Sequence, residues 1–173
     1  MKGLTITSTR TANYAALRRQ PVMLHVMPVN IIIDNSVIEL YNSIMEIVAD
    51  ASAFLAVVLN ESDRNWVINK TLGRKIVSPE ILPYEIGNAL IAVRKKGSLN
   101  DREVLKAYDI SQRIAVKLVP VKIHDAIKIA LRFSIYAYDA YYLQCCVENK
   151  LPLISLDDRM CDATRNLSIK VVE

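Results

Sequence analysis

From Met45 onward, short apolar runs alternate with segments of helical period, and this alternation leaves few architectures open. Residues 46–50, Lys75 to Ser78, Leu118 to Val121, Leu153 to Leu156 and Ile169 to Val172 read as five strands. Between them lie helical stretches: one from Ser52 through Leu59, one over about 63–72, and one led in by Pro79 and Pro83 through Val93. Three more run from Asn100 to about Val116, from His124 to Ser134 and from Asp139 through Cys146. Punctuation agrees with the pattern. Gly73 and the run Arg94-Lys95-Lys96-Gly97 supply helix stops, and Asn100 with Glu103 forms a capping-box-like start. Strands separated by helices pair in parallel through right-handed crossovers. The expected fold is a three-layer α/β/α sandwich around a central, mainly parallel sheet.

A chain of 173 residues suits one domain, and 52% apolar residues is too many for a disordered one. No uninterrupted apolar run approaches the roughly 20 residues that a membrane-spanning helix needs, so no membrane role is expected. The 22 Lys and Arg exceed the 18 acids by a net +4, a mild excess compatible with a nucleic-acid partner. Three cysteines, two of them adjacent, make neither a disulfide framework nor a zinc site, and a reducing cytoplasm is the simplest compartment. With only His25 and His124, histidine-based hydrolysis and zinc catalysis are poor choices.

Residues 1–44 differ from the rest. Residues 1–33 carry no acid, and the apolar stretch from Pro21 to Ile33 is broken by His25, Pro28 and Asn30. That composition does not read as a signal peptide and has some likeness to a transit peptide. The other readings are a loosely ordered extension or upstream sequence translated from a misplaced start, the latter favoured, ahead of a domain spanning 45–173.

Four acids stand in apolar surroundings. Asp50 closes Ile47-Val48-Ala49, Glu85 lies within Ile81-Leu82-Pro83-Tyr84-Glu85-Ile86, Asp139 sits between two Tyr- and Ala-rich runs, and Asp157 follows Leu153-Ile154-Ser155-Leu156. A desolvated carboxylate without a partner costs several kcal/mol, so such groups are normally paired or bind metal. Each alone has a bland explanation. Asp50 and Asp139 suit helix N-caps, and Glu85 suits an ion pair with Arg94. One shared cause is simpler: a hard divalent cation such as Mg²⁺ or Mn²⁺, held by converging carboxylates beyond the carboxyl ends of the strands. Setting the four aside, residues from Met45 onward keep 18 basic against 12 acidic groups, a surface suited to a phosphodiester backbone. The Arg94-Lys95-Lys96 run reads equally well as a solvated helix end.

Together, Ile47-Val48-Ala49-Asp50-Ala51-Ser52, Glu85-Ile86-Gly87-Asn88-Ala89-Leu90, Tyr138-Asp139-Ala140-Tyr141-Tyr142-Leu143 and Pro152-Leu153-Ile154-Ser155-Leu156-Asp157 resemble a PIN domain. In size and order they are similar to the VapC-type ribonuclease toxins of type II toxin–antitoxin systems. The resemblance covers about 46–173. It implies that Asp50, Glu85, Asp139 and Asp157 form the acidic metal-binding and catalytic quartet, supported by Ser52, Asn88 and Ser155. It further implies a Mg²⁺- or Mn²⁺-dependent endoribonuclease acting on tRNA or rRNA, a cognate antitoxin as partner, and a homodimer.

Two other readings stand beside it. A phosphotransfer enzyme using Asp50 as nucleophile lacks a second Asp two residues on, where Ser52 stands, and lacks a Lys at a late strand end. A non-cleaving PIN-like RNA- or protein-binding module fits the fold, yet this chain keeps all four acids. Between neighbours, Asp157 is expected to face the metal and Asp158 to cap a short helix over Arg159 to Arg165. Finally, a chain starting at Met45 is expected to fold and to cut RNA with unchanged metal dependence. Insolubility, or unfolding many degrees earlier in a thermal melt, would make the leader structural.

Overall fold

A computed structural model describes residues 46–173, all of which fall within one compact unit. The expectations for residues 1–44 lie outside the described residues. The order is β1 (Glu46–Ala49), α1 (Ala51–Val58), α2 (Arg64–Thr71), β2 (Lys75–Pro79), α3 (Leu82–Lys95), α4 (Asp101–Ser111), β3 (Val116–Val119), α5 (Ile123–Phe133), α6 (Ala137–Asn149), β4 (Leu153–Ile154) and α7 (Asp158–Asn166). The strands lie in the order β3-β2-β1-β4, and every pairing is parallel.

The apolar run of β1 places it in the middle. Ile47, Val48 and Ala49 are buried, as a strand covered on both faces requires. It pairs Ile47 with Ile76 on one side and Ala49 with Ile154 on the other. Helix α1 packs with α2, α3 and α4, while α6 lies against β1 and β2 and packs with α5 and α7. Ile86 and Leu90 of α3 and Tyr142 and Leu143 of α6 are among the core's fully buried side chains. This is the expected α/β/α arrangement. Among the described residues, no helix is long and apolar enough to cross a membrane.

Several boundaries differ from expectation for identifiable reasons. Asn100 and Glu103 do form a reciprocal capping box, but α4 ends at Ser111 rather than near Val116. Strand β3 is Val116–Val119 because Pro120 has no N–H to extend the ladder. Strand β4 stops at Ile154, since the Leu156 and Asp157 N–H groups donate to the hydroxyls of Ser52 and Ser155 instead of to a neighbouring strand. The expected fifth strand over Ile169 to Val172 is a single bridge, Leu153 to Val171, closed by Leu153 N–H to Lys170 O and Val172 N–H to Leu153 O. Helix α6 begins at Ala137 after Tyr136, so Asp139 lies in its first turn and does not cap it.

Candidate active site

The carboxyl ends of β1 and β4 lie side by side, and each is followed by a polar turn into a helix. Asp50 leaves β1 in extended conformation and caps α1, its carboxylate accepting from Ala53 N–H at 3.1 Å. It is 3% exposed, so its remaining lone pairs need donors from the protein. The Ser52 hydroxyl reaches both carboxylate oxygens, at 2.7 and 2.9 Å, and the Ser155 hydroxyl donates at 2.8 Å. Both hydroxyls are themselves acceptors, Ser52 from Leu156 N–H and Ser155 from Asp157 N–H. Their protons are thereby directed onto Asp50, and the turn after β4 is stitched to the start of α1. Behind the site, the buried Ser78 hydroxyl donates to Ala49 O and fixes the end of β1. The cap reading and the site reading of Asp50 hold together in one side chain.

Glu85 lies in the first turn of α3, half-buried, and accepts from the Tyr142 hydroxyl at 2.7 Å. The alternative pairing with Arg94 does not occur: Arg94 holds Asp101 at 2.7 Å. Tyr142 itself is fully buried and was not singled out among the candidate residues. Its signal was its place three residues after Asp139, on one face of a helix. Asn88 is exposed one turn along α3 and makes no side-chain hydrogen bond to the site among the described residues.

Electrostatics tie the four acids together. Burial raises the Asp50 carboxyl above its ordinary range, opposed by the bonds from Ser52, Ala53 and Ser155. Burial also raises Glu85, which Tyr142 opposes and the charges of Asp50 and Asp139 reinforce. Asp139 is raised by burial and then by the charge of Asp157, against the Tyr136 backbone. The acids thus repel one another in a chain from Asp50 through Glu85 and Asp139 to Asp157. None of the four joins an ion pair among the described residues. Equally, among those residues no three carboxylates stand close enough to form a closed ligand set. The donor set is all hard oxygen, with concentrated and uncompensated negative charge. That fits a divalent ion such as Mg²⁺, which keeps several waters and takes only one or two carboxylates directly.

The neighbours Asp157 and Asp158 reverse one expectation. Asp157, not Asp158, caps α7, accepting Met160 N–H at 3.0 Å, while Asp158 is the first helical residue. The chain leaves β4 at Ser155, so the strand alternation used to separate the two no longer applies there. Asp157→Ala is therefore expected to cost about 1 kcal/mol in a urea melt, with Asp157→Asn and Asp158→Ala costing distinctly less. Equal losses for Asp157→Ala and Asp158→Ala would contradict the cap.

The PIN domain family model matches residues 47–166, most of the chain, and the protein belongs to the PIN domain family. Among solved structures, PAE2754 from Pyrobaculum aerophilum is similar at 20% identity and a TM-score of 0.56, covering 69% of this chain and 79% of its own. VapC20 from Mycobacterium tuberculosis, a sarcin-ricin loop cleaving toxin, is similar at 15% identity and a TM-score of 0.53, covering 68% and 94%. These likenesses concern the fold. Comparison with curated proteins gives no match.

Proposed function

We propose that the protein is a Mg²⁺- or Mn²⁺-dependent endoribonuclease, the toxin of a toxin–antitoxin pair, acting in the cytoplasm on RNA of the tRNA or rRNA class. The carrying observation is the placing of four acids along the carboxyl edge of the sheet in a PIN domain, none of them in an ion pair among the described residues. The fold shared with a toxin that cleaves the sarcin-ricin loop supports RNA as substrate. A cognate antitoxin and a homodimer follow from the same family reading.

Asp50, Glu85, Asp139 and Asp157 would hold the metal between them, some directly and the others through its waters. When bound, such an ion would supply charge to offset the phosphate and a lowered pKa for a water, so that no side-chain nucleophile is needed. The protein's own part is positioning. Ser52, Ser155 and the Ala53 N–H lock the Asp50 carboxylate in one orientation, so no rotamer search accompanies ligation. Tyr142 fixes one oxygen of Glu85 and leaves the other free. Asp139 and Asp157, the more open pair, complete the far side.

The test is incubation of purified full-length protein with structured RNA, in Mg²⁺ or Mn²⁺ and in chelator. Discrete internal cuts with metal and none in chelator are expected. Metal-independent cutting, or intact RNA under both conditions, would overturn the proposal. Sequencing the new 5′ ends after induced expression would then identify the target.

A further inference from the structure

At the carboxyl ends of β2 and β3 lies a cavity of about 680 Å³. Tyr84, Tyr138 and Tyr141 line it, with Ile123 and Pro120 as further apolar wall. Tyr84 is 75% exposed and Tyr138 53%. Tyr141 meets Tyr138 edge to face at a centroid distance of 6.0 Å, which holds the Tyr138 ring while leaving a face open. Large rings left in water forgo the stabilisation of burial, and a cluster of them marks a surface kept for binding.

The chain itself joins this groove to the acids. Tyr84 precedes Glu85, Tyr138 precedes Asp139, and Tyr141 precedes Tyr142, whose hydroxyl holds Glu85. Among the described residues, no Lys or Arg lines the groove, and its one charged residue is the exposed Glu80. A phosphate would be repelled there. A flat, uncharged group would not.

We propose that this tyrosine groove stacks an unpaired nucleobase of the RNA next to the phosphate being cut, so that the enzyme requires an unstacked base at that place. Base-on-aromatic stacking is tolerant of sequence and strong enough to hold a loop or single strand, whereas a base inside a duplex has both faces covered by its stacked neighbours. The proposal rests on the nuclease reading above, and its test separates the two.

A short single-stranded oligoribonucleotide carrying 2-aminopurine is titrated with the full-length protein in chelator, and the same RNA is then assayed for cleavage in Mg²⁺. Stacking quenches 2-aminopurine fluorescence. Wild type and Tyr138→Phe should quench it, while Tyr84→Leu and Tyr138→Leu, which keep apolar bulk but lose the ring, should bind about 5- to 150-fold more weakly with the quench reduced. A blunt duplex of the same sequence should bind less and stay unquenched. Quenching without cleavage upholds the groove and sinks the nuclease reading. Cleavage that depends on Asp139 yet is indifferent to both leucine variants, with no quench in wild type, overturns the groove alone. Absence of quenching with any RNA, as for a groove serving a protein partner, also overturns it.

Discussion

Glu85→Gln and Asp139→Asn should each lower RNA cleavage by more than about 100-fold while the protein unfolds at or slightly above the wild-type temperature without metal. Disturbing even a residue that merely orients a metal ligand costs about 10- to 100-fold, and removing a ligand exceeds that. The stability half follows from charge. Both carboxyls are raised by burial and by neighbouring acids, so a neutral amide relieves more than it loses in the empty site. Glu85→Gln also retains an oxygen to accept from Tyr142. Asp50→Asn should abolish activity as completely, but its stability effect is smaller or reversed. The amide replaces an oxygen where hydroxyls and an N–H converge, and one of those donors loses its acceptor at about 1–3 kcal/mol. Ser155→Ala, which unfixes Asp50 without touching charge, should lose about 10- to 100-fold in rate. Rate and melting temperature measured together check the set, and full activity in any of the three acid variants would remove that residue from the site.

The second large effect joins metal to pH. Asp50, Glu85 and Asp139 all have carboxyls raised above their ordinary values in the folded chain. The folded state therefore binds more protons than the unfolded one between the ordinary carboxylate range and the raised values. Stability contributed by these groups is present at low pH and falls as pH rises through that window. Metal-free protein should consequently lose stability more steeply than Asp139→Asn does as pH rises from the ordinary carboxylate range towards neutral. A divalent ion opposes the repulsion that causes the loss. At about 100 times its Kd, Mn²⁺ would add about 2.7 kcal/mol, raising the melting temperature at neutral pH by on the order of 10 °C. At acidic pH, where protons compete with the ion for the raised carboxylates, the same ion should raise it distinctly less. A thermal melt at both pH values, with and without Mn²⁺, checks the sign.

What the sequence made legible was local. The unbroken Ile47-Val48-Ala49 run marked a buried parallel strand, and the Asn100–Glu103 box and the stops at Gly73 and Gly97 are where the residues put them. The four acids were visible because each interrupts an apolar segment. What stayed hidden depended on contacts distant in sequence. Ser52 and Ser155 each draw a donor from the turn after β4, which ends that strand early and moves the α7 cap to Asp157. The Tyr142 ring is part of the core, and only its hydroxyl, reaching Glu85 from another helix, belongs to the site. Asn88, one turn from Glu85 on α3, lies on the exposed side, while Leu82, Ile86 and Leu90 make up the buried one.

The most direct measurement is a Mn²⁺ titration of the metal-free full-length protein at neutral pH, read by loss of the free-ion paramagnetic resonance signal. Saturable binding by wild type is predicted, weakened at least about tenfold in Glu85→Gln and Asp139→Asn, in step with their loss of RNA cleavage. Wild-type affinity in both folded variants, or no saturable binding by wild type, would contradict the carboxylate-held metal on which the account stands.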